Sequence, residues 1–574
     1  MLRETTSPGE GAPASYRETA AFNPYSGSGY QLPEYPFIEP ADLSASAPIL
    51  YPVVIVGGGI SGLTLACALA DMQVHCVLLD EDNTVGVRGA SSRGICYAQK
   101  SLEIYKRLGI YERIAARGVQ WSIGRTFAGH DEIYSFDLRR QQTHRLSAQP
   151  PFINIQQFYI EGFLVDRIYE LGYAELRWKN RVVGFEQNAQ LATLTVDTPA
   201  GRYTMQARHV IDATGVHSPF RRWLNVEVDS RRGDDRWCIA DVRFGKHPPV
   251  ERHTWIEAPF NENRAVWQHL MADDVWRLDY QMEPDCDMAA VAREDVVRAR
   301  LERQFGKDVA CEIVWVGPYS YRGECLRRFR HGRVLFIGDA AHVVSPFGAR
   351  GGNSGLQDAD NLAWKLAAVV RGKAPERLLD SYDAERRDAA LQNVRVTHRT
   401  SRFLRPAGHA AQLLRSAVIG LARQYPFARA LVNTGRMSVP NAYTQSPVCD
   451  ASGGVSVQNA AFEWADGRGA QLTDLLHWTR GRLLLLVFGP LSRGDIARLA
   501  ALAPLDVLRA VQVVRTRAAA QVRERAIDRH GALQRACGDG RWVLLRPDGY
   551  RAAGGARIDA ALVRAVQHAL GADA

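Results

Sequence analysis

The chain has 574 residues, 46% hydrophobic and 23% charged, a globular composition that excludes wholesale disorder and allows a sizeable core. At roughly 100–200 residues per domain, the length predicts three or four domains, or one large fold with additions. The net charge of +9 is 71 basic minus 62 acidic residues. The arginines are spread along the chain, with no long basic run and no basic segment interleaved with aromatics, which argues against nucleic acid as a partner.

No apolar run approaches the ~20 residues of a membrane-spanning helix, so no integral membrane segment is expected. The N-terminus lacks an apolar signal segment, which points to a cytoplasmic protein. Nine cysteines form no Cys-x-x-Cys pair. That leaves a zinc ribbon and a dithiol redox site without support, so no metal site is expected and the cysteines read as reduced thiols.

Residues 1–50, rich in Pro, Gly, Ser and Tyr, read as an extended N-terminal arm, with order beginning at Tyr51. Val53–Val56 is an apolar, β-branched run suited to a strand buried on both faces. A glycine-rich turn, a helix over Leu63–Met72 and a second strand over Val74–Leu79 complete a βαβ unit. Leu191–Val196 and Arg202–Ala207 alternate around Pro199-Ala200-Gly201, a hairpin signal, and Val210–Ala213 is a further strand. Trp237–Phe244, Thr254–Glu257, Ala265–Met271 and Trp276–Gln281 predict an aromatic-rich antiparallel sheet, mainly within 230–325. Val334–Ile337 returns to a parallel-type strand, followed by a helix over about Asn353–Arg371 and helical patterning over 376–436. Beyond a linker near 440, residues 445–574 predict a small α/β unit with strands at Arg482–Phe488, Asp506–Thr516 and Arg541–Leu545.

Gly57, Gly59 and Gly62 form Gly-x-Gly-x-x-Gly between a strand and a helix. Gly57 permits the tight turn, Gly59 the approach of a pyrophosphate, and Gly62 close helix–strand packing. The helix start offers free N–H groups to the phosphates. Asp80, 18 residues after Gly62, ends the second strand where a carboxylate can hold ribose hydroxyls. These residues predict a dinucleotide site and leave nicotinamide and flavin both open.

The strand Val334–Ile337 ends in Gly338-Asp339, and the run from Pro346 to Gly355 contains Gly351, Gly352 and Asn353. This resembles the Gly-Asp ribityl-binding motif of the single-component FAD-dependent aromatic hydroxylases with the para-hydroxybenzoate hydroxylase fold. The resemblance implies that Asp339 holds the ribityl chain and that Gly351, Gly352 and Asn353 open the helix under the flavin. A helix N-terminus there suits the negative charge of reduced flavin, and Pro346 fixes the turn beside the ring. Pro346, Gly351 and Gly352 are therefore the candidate catalytic positions. Ser92-Arg93-Gly94 and Gln157-x-x-x-Glu161-x-x-Leu164 also match the family, which implies that Arg93 and Gln157 lie at the cofactor; Glu161 is expected to pack the helix instead. The segment Asp212-Ala213-Thr214-Gly215 departs from the family's Asp-Gly, with Thr214 where the Asp would stand and His217 where Arg is common. Thr214 and Gly215 still fit the Ala-Thr-Gly strand end of other FAD enzymes.

The middle sheet resembles the branch related to hydroxyphenylpropionate and pentachlorophenol hydroxylases, which carries a C-terminal thioredoxin-like domain. The implied fold is mixed α/β: a Rossmann-like FAD domain over 51–440, interleaved with an antiparallel substrate sheet, plus a thioredoxin-like domain over 445–574. Lacking a dithiol, that domain is expected to serve as a scaffold or homodimer contact. The implied function is hydroxylation of a small aromatic, phenolic substrate with FAD, NAD(P)H and O₂ through a flavin hydroperoxide. No second Gly-x-Gly-x-x-Gly occurs, so NAD(P)H would dock transiently. His253, Trp255, Trp267, His269 and Tyr280 are candidate pocket residues that strand alternation can equally bury in the core. The alternatives are a flavin dehydrogenase or oxidase on the same fold and a non-catalytic FAD-bearing scaffold.

Overall fold

The computed structural model describes residues 30, 32–86, 94–141, 146–246, 248–432, 437–502, 506–516, 521–522 and 524–572. Five parallel strands lead the first sheet, in the order Val334–Phe336, Gly201–Asp212, Ile49–Val56, Cys76–Leu79, Ala174–Arg177. Val53, Val54 and Ile55 are fully buried, as a strand covered on both faces requires. The helix Ile60–Asp71 and the helix Gly351–Val370 both pack on this sheet and against each other. The hairpin and the strand expected over Val210–Ala213 form one continuous element. Gly201–Asp212 pairs antiparallel with Ala192–Thr198 and parallel with Ile49–Val56.

Order begins earlier than Tyr51. The first strand starts at Ile49, and part of the expected arm lies on the protein. The Tyr35 ring stacks on Trp178 with centroids 4.6 Å apart, its N–H donates to the Asn83 carbonyl, and Thr84 donates to the Pro33 carbonyl. Isolated aromatic anchors of this kind leave no periodicity to read.

The second sheet has eight strands, in the order His342–Val343, Cys311–Leu326, Val228–Phe244, Val275–Gln281, Arg264–Leu270, Arg252–Ala258, Ile123–Ala128, Asp131–Asp137. It is mixed rather than antiparallel, because Arg252–Ala258 runs parallel to Ile123–Ala128. The last two strands come from far outside 230–325. Their arrival from a distant stretch of chain is what makes the sheet interleaved.

The third sheet lies beyond residue 460. Its central strands run Arg525–Ile527, Leu508–Val514, Leu483–Phe488, Trp542–Leu545, Arg551–Gly555. Leu483–Phe488 and Leu508–Val514 are parallel and joined by the helix Arg493–Leu502, whereas Trp542–Leu545 returns antiparallel. All nine cysteines are free.

A buried ionic cluster holds this sheet to the rest. Glu385 accepts from Lys365 at 2.7 Å and from Arg546 at 2.5 Å, and Arg546 also reaches Asp548 at 2.5 Å. Lys100 donates to the Asp548 carbonyl and Arg107 to the Pro547 carbonyl, both at 2.8 Å. Burial alone would raise the Glu385 carboxyl, but Arg546 and Lys365 hold it far below the usual carboxylate range. Removing one charge from such a buried cluster leaves the others unpaired, so Glu385→Gln should cost about 3–5 kcal/mol in denaturant unfolding. Because its folded pKa is depressed, the stability Glu385 contributes is present at neutral pH and lost as the pH falls through the acid range. Glu385→Gln should flatten that acid limb.

Candidate active site

The glycine turn is built to leave one side open. Gly57 has φ +109°, and a Cβ there would lie 2.5 Å from the Ala213 carbonyl oxygen. At Gly62 it would lie 2.1 Å from the Gly57 carbonyl oxygen. Nothing lies within 4 Å of a Cβ at Gly59. Two glycines therefore close the turn, and the third faces open space at the start of the helix Ile60–Asp71.

Asp80 is half-buried beside this turn. Its carboxylate accepts from the Gly58 N–H at 2.5 Å and the Asp82 N–H at 2.8 Å. Burial pushes the carboxyl up to about 7, against the pull of both N–H groups.

On the other side of the first strand, the chain leaves Gly201–Asp212 at Thr214. The Thr214 N–H and hydroxyl both donate to Asp212 Oδ1, at 3.0 and 2.6 Å, and Ser218 donates to Asp212 Oδ2. A carboxylate thus organises this loop from position 212, two residues before the family's usual place. Gly215 has φ +82° and an open Cβ position.

The Gly-Asp turn follows the next parallel strand. Gly338 has φ +59°, and its N–H donates to Asp358 Oδ2 at 3.0 Å. Asp339 is exposed. Arg221 clamps the turn from below, donating to the Ala340 carbonyl at 2.8 Å and the Asp339 carbonyl at 2.9 Å, with Glu324 as its ion-pair partner. His342 pairs with Asp358 at 2.6 Å inside the protein.

These four groups form a row. Asp339, Gly215, Gly59 and Asp80 follow the carboxyl ends of four neighbouring parallel strands, in that order across the sheet. At about 4.8 Å per strand the row spans roughly 14 Å. It lies at the edge where open α/β sheets bind ligands. An elongated dinucleotide fits this row: a carboxylate at each end, open glycines and a helix N-terminus between.

The loop beyond carries the candidate catalytic positions. Pro346 is exposed, and its carbonyl accepts from the Ala349 N–H at 2.9 Å. Phe347 turns inward onto Trp267 and Trp237, centroids 5.1 and 6.1 Å away. Gly351 and Gly352 open the helix Gly351–Val370, and the Gly352 Cβ position is open. Asn353 is spent on protein. It accepts from the Ala98 N–H and the Ser101 hydroxyl and donates to the Cys96 and Ala349 carbonyls. Its side chain braces the loop.

Gln157 accepts from the Gly94 N–H at 3.1 Å and donates to Glu161 at 2.7 Å, beside the segment containing Arg93. Arg93 itself lies outside the described residues. Of the candidate pocket residues, Trp267 and His269 share the face that meets Phe347. His253, Trp255 and Tyr280 fall on the opposite face by strand parity. The sequence offered no role for Arg221 or Asp358, because their partners come from remote parts of the chain, and Asp212 stood only as the first residue of the Thr214 segment. Among the described residues, no cluster of His, Cys, Asp and Glu could hold a metal ion.

The description "FAD binding domain" belongs to the family matching residues 50–397. The chain belongs to this family. It is 28% identical over 447 residues to a 3-(3-hydroxy-phenyl)propionate/3-hydroxycinnamic acid hydroxylase of Burkholderia cenocepacia, covering 74% of this chain and 77% of that protein. It is 31% identical over 373 residues to a 12-dehydrotetracycline 5-monooxygenase/anhydrotetracycline 6-monooxygenase of Streptomyces rimosus, covering 62% and 70%. The solved OxyS anhydrotetracycline hydroxylase from Streptomyces rimosus superposes with TM-score 0.68 at 26% identity, covering 92% of this chain and all of that one. The flavin-dependent monooxygenase PieE, solved with FAD and substrate, shares the fold with TM-score 0.78 at 21% identity and the same coverage. The protein is a flavin-dependent monooxygenase with FAD as its cofactor.

Asp339→Ala should weaken FAD binding by about 10–100-fold, the worth of a hydrogen bond to a charged group, measured by quenching of flavin fluorescence. A ribose hydroxyl donates more strongly to an ionised Asp80 than to its neutral carboxyl. FAD affinity should therefore fall as the pH drops below about 7, and Asp80→Asn should abolish that dependence.

Proposed function

We propose that this flavoprotein hydroxylates a phenolic ring with NAD(P)H and O₂ as co-substrates. The row of Asp339, Gly215, Gly59 and Asp80 along one sheet edge carries the reading, because four sequence-distant positions match one extended cofactor. In this reading Asp339 holds the ribityl chain, Gly57, Gly59 and Gly62 the pyrophosphate, and Asp80 the ribose. Thr214 and Gly215 line the middle, Gln157 lies at its flank, and Arg93 is read as a further FAD ligand. Bound there, FAD supplies electron transfer from NAD(P)H and the activation of O₂.

The chain's own residues orient and exclude. The turn at Pro346 and the N–H groups of Gly351 and Gly352 face the ring end of the row. Phe347, packed on Trp237 and Trp267, closes the space between this loop and the second sheet against water. The relatives named for hydroxylated aromatic acids and tetracycline precursors support a phenolic substrate. Residues 445–574 serve as a brace in this reading, since Arg546 and Asp548 reach the helices behind the cofactor row.

A phenol such as 3-(3-hydroxyphenyl)propionate should accelerate bleaching of the flavin by NADH or NADPH. With isotopically labelled O₂, the product should carry one labelled oxygen. Unlabelled product would identify a dehydrogenase or oxidase instead. Failure of both nucleotides to bleach the flavin would identify a non-catalytic scaffold.

A further inference from the structure

The face of the second sheet that meets the flavin loop carries a compact polar island in an otherwise aromatic wall. Register places it. Asp279 pairs with Trp267 on one side and Ile239 on the other, and Arg277 pairs with His269 and Asp241. Arg252 lies two residues before Thr254, which itself pairs with Trp267. Arg252, His269, Arg277, Asp241 and Asp279 therefore point to one side. Arg277 Nε sits between the two carboxylates, 3.6 Å from Asp241 Oδ1 and 3.5 Å from Asp279 Oδ1.

Three contacts fix this island against the candidate active site. Trp267, beside Asp279, packs on Phe347 of the flavin loop. His269 Nδ1 lies 3.9 Å from Cys96 Sγ, and the Cys96 carbonyl accepts from Asn353 at the helix start. Arg252 lies 3.2 Å from Met437 Sδ, and the Met437 carbonyl accepts from Arg350, the residue before Gly351. The island thus faces the same loop that carries Pro346, Gly351 and Gly352.

We propose that Asp279 takes the proton of the substrate's aromatic hydroxyl and that Arg252 and Arg277 hold the resulting ring oxyanion. This rests on the phenolic reading of the preceding subsection and names the residue that would do its acid–base work. One proton moves. The substrate O–H bond breaks, the proton goes to a carboxylate oxygen of Asp279, and the electron pair stays on the ring oxygen. There it enriches the ortho and para carbons that hydroxylation attacks. The charge count of the island does not change. Two arginines face two carboxylates before the transfer; afterwards they face Asp241 and the oxyanion, with Asp279 neutral. No charge has to be created in a buried site.

The environment of Asp279 suits the task. Its side chain is 16% exposed, against none for Asp241, so it is the more accessible carboxylate of the pair. Burial pushes its carboxyl up to about 6, with Arg277 and Arg252 pulling down and Asp241 pushing up. A base poised there is ionised at neutral pH, and Arg252 and Arg277 stabilise the phenolate that proton transfer to it would leave. Burial, with Arg252 and Arg277 adding to it, holds His269 well below its ordinary value, so it stays neutral and leaves the base role to Asp279. Tyr30, which donates to Asp241 Oδ2 at 3.1 Å, is raised far above the usual tyrosine range by burial and stays protonated.

The test uses the FAD-loaded full chain and 4-nitrophenol, whose phenolate is yellow and whose phenol is colourless. Wild type should bind the probe as phenolate at a pH below the probe's own pKa. Asp279→Asn should bind it as phenol, with kcat/KM for 3-(3-hydroxyphenyl)propionate reduced about 100-fold or more, as for loss of a general base. The wild-type acid limb of kcat/KM near pH 6 should vanish in this variant. Asp279→Glu should restore the yellow complex. 4-Nitroanisole, which has no hydroxyl proton, should bind Asp279→Asn as it binds wild type; loss of that binding together with failure of Asp279→Glu to restore the complex would mark Asp279 as structural and overturn the proposal. A yellow complex of undiminished intensity in Asp279→Asn would also overturn it. If no phenol perturbs the wild-type flavin spectrum, the phenolic reading itself fails and the proposal falls with it.

Discussion

The cofactor side of the molecule depends on one buried carboxylate. Asp358 accepts the Gly338 N–H, His342 Nε2 and Arg386 Nε at 3.0, 2.6 and 2.6 Å. Burial alone would raise its pKa, but His342 and Arg386 hold it below the usual carboxylate range. A charge in this place is tolerable only because three donors surround it. In return it fixes the left-handed Gly338 and so aims Asp339 outward. A side chain at Gly338 would strike Ser61 of the fingerprint helix, and so would one at Gly355. The two cofactor segments, far apart in sequence, meet at this point, and neither is in place without the other.

The constraint continues outward. Arg386 also donates to Ser354 and Tyr443, and its neighbour Glu385 meets Lys365 and Arg546. Tyr550 stacks on Tyr443 at 4.3 Å. A continuous buried path therefore leads from the Gly-Asp turn to the C-terminal sheet. That sheet has no dithiol, and the polar groups it contributes to this path are structural. Its packing completes the buried ion pairs of Glu385 and Lys365 through Arg546.

Four of the five parallel strands, the glycine turn and the Gly-Asp turn were legible in the sequence because each is a local pattern; the edge strand Ala174–Arg177 was not. A doubly buried strand shows as an apolar run, and a tight turn shows as glycine. The substrate sheet was legible only in its middle. Ile123–Ala128 and Asp131–Asp137 join from another part of the chain, and no local pattern announces a partner so distant in sequence. Asn353 was legible as a position but not as a brace, since its role comes from Cys96, Ala98 and Ser101 on a remote segment. Arg221 and Asp358 were invisible for the same reason: each gets its meaning from a carbonyl or N–H that only the fold brings near.

The Thr214 departure shows how a local pattern can change while its physical task is kept. Here the carboxylate is at 212, fully buried, and Thr214 and Ser218 satisfy it from both sides. Burial raises its pKa and those donors oppose the rise. The loop keeps the hydrogen bonds that shape it, because the hydroxyl and N–H of Thr214 turn inward onto Asp212. On the outer face of the loop Gly215 is open and His217 is exposed. Positions 214–217 carry no acidic side chain, so the charge that shapes this loop is kept inside it, on Asp212.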